Sequence, residues 1–405
     1  MISTTKILGL CLLCIVAVTW AGVAKASEVG VTGGDIQVAV FSRLSDPTST
    51  EGKHFLEGVR TVFEHVNRRG GISGRSLSVL PHDMTGDPAG VVMTVHQMLT
   101  KGRVFSMVVR SDTATAQSLL DQGIGDEPVP VLVGGSFCHS LLSPSRRHIL
   151  FFGMPYDDQV VLLVEHLLKK SPGLNPKMAL LAEESLLGHE AREGFRRVCT
   201  HYGLQNVGEE MYTPGIDDFS LHVNRLSSGG GDHTVLGAAT SDVTQIIQAA
   251  SSIGWFPQFL GLSSTVEPET LAGAGEGAEG YLAVDYVARP WESLPGVSLM
   301  VGLTQKLYPR KDARTLHRSH VLGFVSGILV VEGLRTAERE LTRESFLHAL
   351  QHIQELDTHG LAGVVGFETD YPLCLPMGRV FRFNTMSRGF QPLTDWSHPM
   401  MKSSP

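Results

Sequence analysis

Few residues in this sequence stand at spacings that support covalent chemistry. "GHEAREGF" (188–195) carries His189 and Glu190 but no second histidine one turn on, so the helical zinc-hydrolase pattern is not met. Beyond the first 26 residues the cysteines are Cys138, Cys199 and Cys374. They are far apart and form no CxxC, so they make neither a disulfide framework nor a zinc site, and no bridge is expected. "GAGEGAEG" (273–280) has the glycines of a dinucleotide loop but does not open a helix after a strand, so it reads as a surface loop. The 17 histidines are scattered without metal spacing, and no GxSxG elbow or phosphate-binding loop occurs. With no nucleophile–base pair and no metal set, an enzyme is not expected, nor is a metal or cofactor. Non-covalent binding remains. A place for it is "KMALLAEESLLGHEAREGF" (177–195), where a buried strand ends, a short loop turns and a helix begins at Gly188 with Ala191, Phe195 and Val198 on one face. In open α/β sheets ligands bind at such junctions.

The elements that would hold this junction alternate along the chain. "IQVAVFS" (36–42) is a β-branched strand. Phe55, Val59, Val62, Phe63 and Val66 then line one face of a helix that Gly70-Gly71 stop. Strand and helix patterns continue through "VPVLVGG" (129–135), and "HILFFGMP" (148–155) breaks the rhythm. A second alternation runs from "DDQVVLLVEHLLKK" to "QFLGLS" (258–263). Two successive β/α sheets imply two lobes, each built on a parallel sheet. The later segments, "YLAVDYV" (281–287), a helix through 320–338, "VVGFETD" and "RVFRFN" (379–384), read as additions to those sheets. A chain that crosses more than once makes a multi-strand hinge with a cleft between the lobes. The expected division is 35–153 with 284–362 in the N-terminal lobe, 154–283 with 363–395 in the C-terminal lobe, and 396–405 as a tail.

The totals agree with this division. A chain of 405 residues, 42% hydrophobic and 18% charged, is long and apolar enough for two cores. Residues 1–26 hold Lys6, the apolar run "ILGLCLLCIVAVTWAGVA" and then "AKA", which is the pattern of a secretory signal peptide cleaved near Ala26. The alternative is an uncleaved membrane anchor. The full chain has a formal net charge of −8, and loss of Lys6 and Lys25 with the leader makes it more negative. That charge speaks against nucleic acid and anionic membrane surfaces as partners.

In this order, "EGVRTVFEHVNRRGGISGRSL", "GMPYDDQ", "YTPGIDDFSLHVNRL", "IGWFPQFLGLS" and "VVGFETD…GRVFRFN" resemble the type I periplasmic solute-binding proteins of the branched-chain amino-acid receptor (Leu/Ile/Val-binding protein-like) class. The resemblance spans residue 36 to about 390. It implies two Rossmann-like lobes that close on a small molecule, and a loaded form, expected to be a monomer in the periplasm, that docks on an inner-membrane transporter.

The resemblance also implies that the loops after the strands make the ligand contacts. Ser111, Thr113 and Ser136 fall near positions that match the family's carboxylate-binding hydroxyls. Val109-Arg110 replaces the usual Gly-Pro, and Cys138 replaces a usual Ser or Thr. Leu187-Gly188 stands where the family often has Tyr-Gly. Asp242 or Glu184, with Glu183 beside it, could hold an ammonium group. Leu44, Phe137, Leu186, Leu187, Tyr156 and Leu262 are candidate walls, and Arg110, Ser111, Asp112 or Ser136 would orient a polar head.

Covering a zwitterion with such walls without partners costs roughly several kcal/mol, whereas each buried apolar side chain contributes about 1.5–3 kcal/mol. The expected ligand is therefore mostly apolar or amphipathic: a sterol-like molecule or other lipid, or an aromatic or branched acid. The alternatives are an amino-acid, amide or urea receptor of an ABC importer, and a ligand-sensing subunit of a signalling system. Duller readings stand beside these. Arg110 could pair with Asp112 or Asp83, Cys138 could be a small buried hydrophobe, and Leu187 could pack under its own helix.

Overall fold

The computed structural model describes residues 28–401, apart from residues 48, 87, 102–103, 112, 122–127, 136, 368–372 and 375–376. The expected leader, Asp112 and Ser136 lie outside the described residues. Among the described residues no helix is long and apolar enough to cross a membrane.

The first sheet is built from β1 (Asp35–Ser42), β2 (Ser76–Asp83), β3 (Ser106–Arg110), β4 (Val131–Gly134) and β5 (Ile149–Phe152). All pairs are parallel, in the order β2-β1-β3-β4-β5. β4 and β5 are buried along their whole length, as continuous apolar runs in a covered parallel sheet must be, while the edge strand β2 is partly exposed. Helix Glu51–Asn67 buries Phe55, Val59, Val62, Phe63 and Val66. Helix Arg318–Thr336 crosses it and is buried almost all round, which identifies it as a core element despite its late place in the chain. Glycines permit the crossing: a Cβ at Gly323 would stand 2.1 Å from the Phe55 carbonyl oxygen, and one at Gly58 2.2 Å from that of His320.

The second sheet contains β6 (Lys177–Glu183), β7 (Gln205–Tyr212), β8 (His233–Gly237), β9 (Gln258–Gly261), β10 (Leu282–Asp285), β11 (Arg379–Asn384) and β12 (Gly389–Pro392). Its order is β12-β11-β10-β9-β8-β6-β7. β6 to β10 pair in parallel, and β11 and β12 close the edge as an antiparallel hairpin. This is the expected α/β architecture of two Rossmann-like lobes. The chain passes from the first sheet to the second after Phe152, returns after Asp285 to the helices over the first sheet, and rejoins the second at Arg379.

Some local expectations are corrected. The 283/284 boundary falls inside β10, which pairs with β11 as far as Asp285, opposite Arg379. "VVGFETD" forms no strand among its described residues, only isolated bridges at Val365 and Phe367. The expected tail is docked as far as Met401: Arg379 lies 5.2 Å over the Trp396 ring, and Glu165 accepts the amides of Met400 and Met401. The helix after β6 begins at Leu186, not Gly188. Ser185 caps it by accepting the Gly188 amide, which places Gly188 inside the first turn. A Cβ on Gly188 would stand 1.9 Å from the Glu183 carbonyl oxygen, so glycine lets the turn fold back on the strand end. Leu186 and Leu187 project from that turn half-buried.

Candidate ligand-binding cleft

The carboxyl ends of strands from both sheets meet around a cavity of about 390 Å³. Ser111, Thr113 and Arg110 enter it from the end of β3. Glu183, Ser185, Leu186 and Leu187 enter from the end of β6, Ala239 and Thr240 from the loop after β8, and Ser263 and Ser264 from the loop after β9. Glu51 comes from the first helix, Tyr156 and Tyr286 from the crossing segments, and Arg318 from the returning helix. A cavity at the carboxyl ends of parallel strands is the binding position of open α/β sheets.

The lining is charged and only partly self-satisfied. Arg110 Nη2 meets Glu51 Oε2 at 3.0 Å, and its Nη1 donates to the Ser111 carbonyl at 3.1 Å. Burial alone would raise the Glu51 carboxyl, but Arg110 and the cations around it bring it below the usual range. Arg318 donates Nε to the fully buried Asp285 at 2.8 Å and lies 5.5 Å over the Tyr286 ring. Burial pushes the Tyr156 phenol well up, so it stays a neutral hydrogen-bonding group. Gln159 fixes the β9 loop by accepting the Ser263 amide at 2.8 Å. Ser264 Oγ and Arg110 Nε are buried and meet no partner at hydrogen-bonding geometry. The Glu183 carboxylate makes no hydrogen bond or ion pair with a described residue. Buried polar atoms left in this state are costly unless another molecule pairs them.

Of the expected site residues, Arg110, Ser111, Thr113, Tyr156, Leu186 and Leu187 line this cavity. Others do not. Phe137 is buried against Phe151, 5.0 Å between ring centroids, because the loop after β4 turns its aromatic ring into the first core. Leu262 is fully buried under β9, and Leu44 packs on the first core while Asp83 accepts its amide. Asp242 accepts the Tyr212 hydroxyl at 2.8 Å, and Glu184 turns outward to His189 at 3.2 Å. Cys138 is buried, its thiol raised by burial, and Sγ donates to the Leu186 carbonyl at 3.3 Å across the lobe boundary. Cys138, Cys199 and Cys374 are all free thiols. Arg110 pairs with Glu51, not with Asp83, whose carboxylate is taken up by backbone amides. The cleft is thus more polar than the loop composition implies, since half of the expected apolar walls belong to cores.

Loop position signalled Ser263, Ser264, Ala239 and Thr240 only as segments. Glu51 closes the segment 43–52 that follows β1, where loop position does point, whereas Tyr286 and Arg318 carry no loop signal and arrive with the chain's return.

Beside the cleft, His139 of the first lobe lies 3.0 Å from Asp157 and 3.1 Å from Glu190 of the second. Burial alone would lower the imidazole, but these two carboxylates push it up to about 10. Among the described residues, three clusters bring histidines and carboxylates within metal-ligand reach of one another: His54–Glu57–His320, Glu51–Glu267–His317 and His139–Asp157–Asp158. A cation already pairs with an acid of each, namely Lys311 on Glu57, Arg110 on Glu51, and Arg197 on Asp157 and Asp158.

A family profile described as periplasmic binding protein matches residues 35–372. The chain is 24% identical over 251 residues to the Leu/Ile/Val/Thr-binding protein of Salmonella typhimurium, covering 61% of this chain and 67% of the relative. It is likewise 24% identical over 251 residues to the Leu/Ile/Val-binding protein of Escherichia coli K12, covering 61% and 66%. The chain thus spans about two thirds of the length of these curated relatives. Among solved structures, a fatty acid ABC transporter substrate-binding protein from Thermomonospora curvata superposes with a TM-score of 0.76 at 21% identity, over 92% of this chain and 95% of that one. A branched chain amino acid ABC transporter protein from Thermus thermophilus with bound valine gives 0.75 at 21% identity, over 91% and 98%. At these identities the superpositions show a shared fold.

Proposed function

The chain belongs to the periplasmic binding protein family, and from that premise we propose that its cleft captures a small amphipathic acid carrying an amino group, such as a branched or aromatic amino acid, and hands it to a membrane ABC importer. The observation that carries this reading is the placing of an acid and of cationic and hydroxyl groups on opposite lobes of one cavity. Glu183 of one lobe lines the same cavity as Arg110, Ser111 and Thr113 of the other. A carboxylate settles on hydroxyls and a guanidinium, an ammonium on Glu183, and Leu186 and Leu187 cover the apolar body. Contacts on both lobes favour the closed state, which is what a transporter reads.

A sterol fits this lining badly. It would cover Glu183 and the Ser264 hydroxyl without pairing them, at roughly several kcal/mol. A fatty or aromatic acid without an amine is the second reading. Leu186 and Leu187 favour it, and so does the fatty acid receptor among the structural neighbours. Calorimetric titration with leucine, valine, phenylalanine and octanoate separates them. The proposal expects amino acids to bind and Glu183→Gln to weaken them about tenfold or more while sparing octanoate. Octanoate binding with no response to any amino acid would establish the second reading instead.

A further inference from the structure

A second hollow, about 780 Å³, lies along the lobe boundary beyond Arg318. Arg289, on the segment that leaves β10, lines it and is 1% exposed. Trp291 flanks it from the same segment, and Arg388 and Phe390 from the β11–β12 hairpin. The Arg289 guanidinium lies 5.0 Å over the Phe381 ring and 5.5 Å over that of Phe390. Asp285 Oδ2 stands 3.2 Å from its Nη2, but both Asp285 oxygens already accept hydrogen bonds from Arg318. Arg289 Nε and Nη2 make no hydrogen bond. One buried carboxylate therefore serves two buried guanidiniums.

The other acids of the hollow do not make up the difference. Glu267 is engaged by His317 at 2.8 Å and Glu292 by Arg379 at 2.7 Å, while Glu269 is exposed. At the mouth Arg314 and Arg388 are exposed and make no ion pair with a described residue. A buried charge that lacks its full set of partners is costly, and a planar guanidinium recognises carboxylate and phosphate oxygens well.

We propose that this hollow is a second ligand site, for a small organic anion whose carboxylate or phosphate group sits between Arg289, Arg314 and Arg388 and whose flat body lies on Trp291 and Phe390. The site does not depend on what the first cleft binds. Its test titrates the whole protein with benzoate, phenyl phosphate and benzylamine, followed by calorimetry and tryptophan fluorescence. Saturable binding of benzoate or phenyl phosphate but not of the cationic benzylamine is expected, and the better of the two anions identifies the acid group. Arg314→Ala with Arg388→Ala, both exposed, should weaken that binding about tenfold or more. Arg110→Ala in the first cleft should leave it unchanged, and Trp291→Phe should remove the fluorescence change. The proposal is overturned if neither anion saturates, if benzylamine binds as well as the anions, or if Arg110→Ala abolishes binding that the mouth variant leaves intact.

Discussion

Replacing His139 with glutamine tests the contact that holds the lobes beside the cleft. The ring spans the boundary, with Asp157 at 3.0 Å and Glu190 at 3.1 Å. Its rise from 6.5 to about 10 would be worth up to about 5 kcal/mol at 1.36 kcal/mol per unit. Its side chain is 22% exposed, and solvent screening reduces this to roughly 2–3 kcal/mol. The sign follows from linkage. The folded imidazole holds its proton more tightly than the unfolded one, so its contribution is fully present below pH ~6.5 and is lost as pH rises through ~10. His139→Gln should therefore lower stability by roughly 2–3 kcal/mol at pH 6, and the gap to the parent should close by pH 10. Urea unfolding of both proteins at pH 6, 8 and 10 measures this directly. An equal gap at pH 6 and pH 10, or none at pH 6, would refute the charged latch.

Other expectations follow from the packing and the cleft. Gly323→Ala forces a Cβ to 2.1 Å from the Phe55 carbonyl, so the helix pair must separate; a loss of roughly 1–3 kcal/mol or more is expected in denaturant titration. On the acid side, burial lowers His54 to about 4 and His320 to about 3. Stability from these neutral rings is present above pH ~6.5 and is lost as pH falls toward 4, so melts should shift down over that window, and less so in His320→Asn. Leu187→Asp, at a half-buried cleft position, should weaken an amphipathic ligand by about tenfold or more with the melting temperature of the free protein little changed; unchanged affinity in calorimetry removes Leu187 from the site.

The alternation of elements was legible because parallel strands buried on both faces read as continuous apolar runs, as in "VPVLVGG" and "KMALLA". The β3 and β6 loops were legible for the same reason: a strand end is easy to place, and ligand loops follow it. Orientation was not. Phe137 and Leu262 sit in loops that do reach the cleft side, yet their side chains turn into the cores, because nothing in a loop's composition says which way each residue points. Arg318 was invisible for a different cause. It stands more than 260 residues from Glu51 in the chain, and only the crossing at Gly58 and Gly323 brings the two to one cavity. Asp242 and Glu184 looked available as isolated acids, but Tyr212 and His189 occupy them.

The most direct test of the account is a thermal melt of the protein lacking residues 1–26 against amino acids in one series and sterols in mild detergent in another. A ligand at about 100 times its dissociation constant adds roughly 2.7 kcal/mol, enough for a shift of several degrees. The account predicts a shift with a branched or aromatic amino acid, removed by Glu183→Gln, and none with sterols. A shift with sterols alone would contradict it, because Glu183 and the Ser264 hydroxyl would then be covered without a partner.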